Sequence, residues 1–217
     1  MNSQVEEAGF AEEGVTIGRI MSFSDAIFAV AITLLILNIN IPLIPKDQVT
    51  RDLGPAVRQL LPHFWSFTLS FVVIGVYWMS HHAVFRFIKR SDRTFLWCNL
   101  IFMMSIVVMP FSTNLLGAYG SNRLAVMFYA GNLTATGTLI ALLWWYATRR
   151  HRLVDKELEP ALRNHVLLAS LLPAAIFFIS IFVALASPAL AKYVWLAIIP
   201  VDFLFHGHFR LSRHKAA

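Results

Sequence analysis

The sequence predicts an all-α membrane protein with six transmembrane helices, and three features of its 217 residues carry that expectation. The chain is 58% hydrophobic and only 14% charged, where a soluble domain averages roughly 45–50% apolar and about 25% charged residues. A soluble core of this size cannot absorb the surplus, so lipid must be part of the solvent. Apolar runs of about 20 residues, enough to cross the hydrocarbon core at about 1.5 Å per residue, recur six times. The connections between them are short and basic, too short to fold alone.

The first run, roughly residues 18–40, reads RIMSFSDAIFAVAITLLILNI from Arg19 and is closed by Pro42 and Pro45, which cannot continue a helix. The second spans about 60–84, the third about 94–116 and the fourth about 124–147. In the fourth, Ala130, Thr134 and Thr138 recur every four residues, a small-residue stripe suited to close helix contact. The fifth, about 164–186, and the sixth, about 190–209, are separated only by the turn ASPALAK, so they must be antiparallel neighbours. Pro110, Pro173 and Pro200 interrupt apolar runs and read as kinks. The acidic leader MNSQVEEAGFAEEGVT lacks the basic region of a secretory signal, and the whole chain, 1–217, reads as a single six-span domain.

Charge gives the orientation. Of 18 Lys and Arg residues, thirteen fall on one side: Arg19, the group from Arg86 to Arg93, the group from Arg149 to Arg163, and the C-terminal Arg210, Arg213 and Lys215. Only Lys46, Arg51, Arg58, Arg123 and Lys192 fall on the other. Basic loops stay inside, so both termini are expected in the cytoplasm of a cell-membrane protein. The same clustering accounts for a pI near 9.8 without nucleic acid as a partner. Cys98 is the only cysteine, which excludes an internal disulfide framework. No nucleophile–base pair or metal-ligand set emerges, so neither an enzyme nor a cofactor is expected. His81 and His82 are adjacent and project about 100° apart on a helix, and the tail HGHFRLSRH lacks Cys or acidic co-ligands.

The chemistry must then lie in polar groups within the spans. Asp25 follows Arg19 by six residues, about 9 Å deeper along a helix and on a different face, so the two cannot form an intrahelical pair. A buried acid costs several kcal/mol unless paired or hydrated. Span two returns to the same membrane side with YWMSHHAVFRFIKR, which sets Trp78 at the depth of Asp25 and His81 near Ser24 and Arg19. Arg19, Ser24, Asp25, Trp78 and His81 are therefore expected to form a polar clasp between spans one and two. Asp25 and His81, with Asp202 near Pro200 in span six, could instead relay protons or cations in a coupled transporter.

Span one also carries Val30, Leu37 and either Thr33 or Leu34 at i, i+3/4 and i+7, on one face. No carbonyl filter of the TVGYG type and no mid-span acid ring is present, so a pore would need side chains for its constriction. Potassium sheds water more readily than sodium, so a narrow apolar ring would favour it. One subunit cannot close such a ring.

The pattern Arg19-x-x-x-Phe23-Ser24-Asp25 followed by AIFAVAITLLIL resembles the signature of the prokaryotic transmembrane-protein-175 family, relatives of the lysosomal potassium channel. Trp78-Met79-Ser80-His81-His82-x-x-Phe85-Arg86 is similar to its second motif, with Ser80 where Asn is common. The resemblance covers the whole chain. It implies a potassium-permeable homotetramer in the lipid bilayer, four copies surrounding a central pore lined by helix 1. Val30 then stands at the hydrophobic constriction, often Ile or Leu in the family, Thr33 at the pore-facing hydroxyl one turn outward, and Leu37 at the next apolar layer. The Arg19, Phe23, Ser24 and Asp25 motif is implied to contact the span-two Trp78 and His81.

Overall fold

The computed structural model describes residues 16–37, 39–196 and 198. Seven α-helices follow in order: α1 (Ile17–Leu37), α2 (Val49–Gln59), α3 (Leu61–Phe85), α4 (Arg93–Tyr119), α5 (Arg123–Thr148), α6 (Pro160–Ala186) and α7 (Pro188–Trp195). Five of them, α1, α3, α4, α5 and α6, are long and apolar enough to cross a membrane. These match the first five expected runs, with ends displaced by up to four residues. The expected sixth span, 190–209, is described only through the short helix α7; most of it, with Pro200, Asp202 and the histidine-rich tail, lies outside the described residues.

The expected ASPALAK turn is corrected. Ser187 alone separates α6 from α7, and its hydroxyl accepts from the Leu190 backbone N–H at 3.3 Å, while Pro188 starts the next helix. Proline suits a first helical position because its missing N–H has no partner to lose there. The chain nevertheless reverses: Trp195 Nε1 donates to Ser180 Oγ on α6 at 2.9 Å. Pro110 and Pro173 lie inside α4 and α6, which continue as helix on both sides.

Helix α2 is an addition. It is too short to span a bilayer, and Val49, Leu53, Ala56 and Val57 occupy one face while Arg51, Asp52 and Arg58 occupy the rest. None of its residues is buried by the chain.

Helix α5 occupies the centre, packed between α4 and α6, and α1 packs chiefly against α4 and α3. The core is aromatic: Trp144, Tyr129, Phe28, Phe85, Phe95 and Phe102 are fully buried. Between helices in lipid, apolar burial supplies little drive, so close packing and interhelical hydrogen bonds decide the arrangement. Tyr77 on α3 donates to the Leu133 carbonyl of α5 at 3.0 Å, and Ser70 Oγ lies 3.0 Å from the Tyr129 hydroxyl and 2.7 Å from that of Thr113. A Cβ at Gly137 would come within 2.9 Å of Ala174 on α6, so α5 and α6 touch at a position one residue from the expected small-residue stripe.

At the basic end of the bundle, two distant connections are joined. Asp92 caps α4 by accepting from the Phe95 N–H at 2.8 Å, and it also accepts from the Tyr146 hydroxyl at 2.8 Å and from Arg152 Nε at 3.0 Å. Burial works against its charge, but these three donors together outweigh it and hold the carboxyl below the usual aspartate range. Arg150 and His151, with φ of 55° and 52°, turn the chain back so that Leu153 and Val154 meet the segment after α3. There Ile88 and Val154 form an antiparallel bridge, and the Lys89 N–H donates to the Leu153 carbonyl at 2.8 Å.

Two outcomes are expected. Gly137→Val should separate α5 from α6 and cost roughly 1–3 kcal/mol, read as a lower thermal unfolding midpoint in detergent. Because Asp92 is depressed, its stabilisation is complete above the ordinary aspartate range and is lost as pH falls through its lowered value. The midpoint difference between the parent and Asp92→Asn should therefore persist at neutral pH and shrink on strong acidification.

Candidate functional site

Helix α1 is held by a single stripe. Ile20, Ser24, Phe28, Ala31 and Leu35, at spacings of three and four, are all buried against α3 and α4. Spacing of this kind keeps residues on one face of a helix. Two polar residues in its first half reach partners on those helices.

Asp25 Oδ1 accepts a 2.8 Å hydrogen bond from Trp78 Nε1, joining α1 to α3 at one depth. Ser24 and His81 do not meet directly. Between them stands Asn99 of α4, whose Nδ2 donates to Ser24 Oγ at 3.0 Å while its Oδ1 lies 3.0 Å from His81 Nε2. An amide oxygen only accepts, so His81 donates from Nε2. Ser24, His81 and Asn99 are all essentially inaccessible to solvent, and unpaired polar groups at such positions are costly. The His81 ring is further clamped by Phe85 at 4.1 Å, by Phe102 stacked at 5.6 Å and by Phe28 at 5.7 Å between centroids.

Arg19, expected in the clasp, and Phe23, which the family motif sets beside Trp78 and His81, are both exposed. Arg19 is exposed at the start of α1, and among the described residues it makes no hydrogen bond or ion pair with Asp25, Trp78 or His81. Its separation from Asp25 by six residues turns it to a different face of the helix. Phe23 is 53% exposed. The residue that sequence reasoning missed is Asn99, yet a signal existed. Asn99 lies six residues past Arg93, as Asp25 lies six past Arg19, so both polar groups enter about 9 Å from the same end.

The opposite side of α1 is uncovered. Val30 is 56% and Leu37 72% exposed, and Thr33 is exposed between them. At about 100° per residue, Ala26, Val30, Thr33 and Leu37 all fall within about 60° of one another, on the side away from the buried stripe. The Thr33 hydroxyl donates to the Val30 carbonyl at 2.9 Å, so its proton is engaged within the helix. Among the described residues no three His, Cys, Asp or Glu side chains converge as a metal site.

A family model described as the endosomal/lysosomal potassium channel TMEM175 matches residues 19–110, which takes in α1, α3 and α4 as far as Pro110 and thus the polar network entire. A potassium channel of Streptomyces collinus is 35% identical over 151 residues, 67% of this chain and 72% of that protein. Another, of Chamaesiphon minutus, is 36% identical over 154 residues, 69% and 74% of the two chains. The crystal structure of a lysosomal potassium-selective channel TMEM175 homologue from Chamaesiphon minutus superposes with a TM-score of 0.73 at 29% identity, covering 88% of this chain and 97% of that one.

Asn99→Ala removes both bonds and strands the Ser24 hydroxyl and the His81 N–H in the interior. It should lower stability by about 1–3 kcal/mol, measured as a fall in the thermal unfolding midpoint in detergent.

Proposed function

Because the chain belongs to the TMEM175 family, whose members are ion channels and not enzymes, we propose that it is one subunit of a passive, potassium-permeable homotetrameric channel. It is a multi-pass membrane protein. In this reading the six-span unit covers the whole chain, both termini are cytoplasmic, and four copies of α1 surround the conduction axis. Val30 forms the narrowest apolar ring, Thr33 offers hydroxyl oxygens one turn outward, and Leu37 forms a second apolar layer.

The observation that supports this assignment is the division of α1 into two faces. One is committed to its own subunit through Ser24, Phe28 and Leu35; the other, with Val30, Thr33 and Leu37, is left free. A closed ring of such faces satisfies each subunit with the same surface, as symmetric assembly requires. Narrow apolar rings select by the cost of stripping water, and potassium surrenders its hydration more readily than sodium. Valine is smaller than leucine or isoleucine, so this ring is wider than one built from either. The polar groups of α1 act as positioning residues: Asp25 with Trp78, and Ser24 with Asn99 and His81, set the rotation that aims Val30 at the axis.

The test is flux through liposomes holding the purified chain. A potassium gradient should dissipate without any added proton or sodium gradient, and sodium should pass more slowly. Val30→Ala should raise sodium flux several-fold relative to potassium while the assembly stays tetrameric by cross-linking. Absence of flux, strict dependence on a second ion gradient, or identical selectivity in Val30→Ala and Leu37→Ala would each overturn the assignment.

A further inference from the structure

We propose that the two basic connections at one end of the bundle form a single docking surface for anionic phospholipid headgroups. The segments after α3 and after α5 are over fifty residues apart in sequence, yet the Ile88–Val154 bridge and the Asp92–Arg152 pair at 3.0 Å lock them side by side. Residues 86–93 and 149–163 carry nine Lys and Arg against four acids, Asp92, Asp155, Glu157 and Glu159, and two of the four are engaged. Asp92 holds Arg152, and Asp155 lies 3.7 Å from Lys89. Arg86, Arg90, Arg93, Arg149, Arg150 and Lys156 remain exposed, with no acidic partner among the described residues.

Location argues for lipid over a soluble anion. Arg149 stacks on Trp145 with its guanidinium carbon 5.0 Å from the ring centroid, and Trp145 itself is 44% exposed. Trp97, one turn beyond Arg93 on α4, is 57% exposed. Exposed indoles sit at the boundary between acyl chains and headgroups, and arginines one turn further out reach the phosphates. The charges therefore ring the outside of membrane-crossing helices at headgroup depth. Guanidinium groups match phosphate oxygens in pairs, and a basic cluster beside a membrane draws anionic lipid with a strength that grows with each charge. The joined connections present these groups in a fixed array, which sequence-distant flexible loops would not.

The experiment follows thermal unfolding of the full chain in a neutral detergent, which needs no ion conduction and so stands apart from the channel reading. Added phosphatidylglycerol should raise the midpoint saturably, while phosphatidylcholine and free glycerol 3-phosphate at equal concentrations should not. The triple variant Arg90→Gln, Arg149→Gln, Arg150→Gln should need about tenfold more phosphatidylglycerol for the same rise. Arg58→Gln, on α2, should titrate like the parent. If the triple variant does not fold, Arg90→Gln and Arg149→Gln alone should each shift the titration by about two- to threefold. An unchanged titration in these variants overturns the proposal. So does an equal rise with phosphatidylcholine, or with glycerol 3-phosphate, which would mean a free-anion site.

Discussion

A polar group inside a bilayer must find its hydrogen bonds within the protein, and for α1 that requirement has one solution. Ser24 and Asp25 are adjacent, so they point about 100° apart and need two different partners. Asn99 on α4 takes the first and Trp78 on α3 the second. Rotating α1 by one residue would break both bonds and strand the buried Ser24 hydroxyl. The orientation of everything further along α1, including the Val30 side, follows from this pair of bonds.

The rest of the bundle uses the same economy. Some buried polar groups join different helices, Tyr77 to the Leu133 carbonyl, Ser70 to Tyr129 and Trp195 to Ser180, while others such as Ser105, Thr136 and Thr148 bond back to carbonyls of their own helix. Between these bonds, contact is made by small residues such as Gly137 or by aromatic rings such as Phe102 against His81. In the result α1 is anchored along its buried stripe and through Asp25, while Val30, Thr33 and Leu37 stay exposed.

The two ends of the bundle are built differently. At one end Asp92 and the Ile88–Val154 bridge tie connections into a compact basic surface. At the other, the short helix α2 keeps its Val49, Leu53 and Val57 side partly exposed. The asymmetry in charge is visible in the one-dimensional pattern; the tying of the loops is not.

Composition and hydropathy alone determined that lipid is part of this protein's solvent, where the first five spans run, and which end is basic, because those properties depend on chain length and residue type. The depth of Asp25 and Trp78 was legible for the same reason: helical rise converts sequence distance into distance along the membrane normal. Rotation and neighbourhood were not legible, since several helices offer polar groups at one depth and only packing selects among them. Thus Asn99, not His81, became the partner of Ser24, Arg19 stayed outside the network, and α2 formed where a loop was expected. Tertiary structure decided those points because a hydrogen bond depends on angle and contact, which spacing along a chain does not contain.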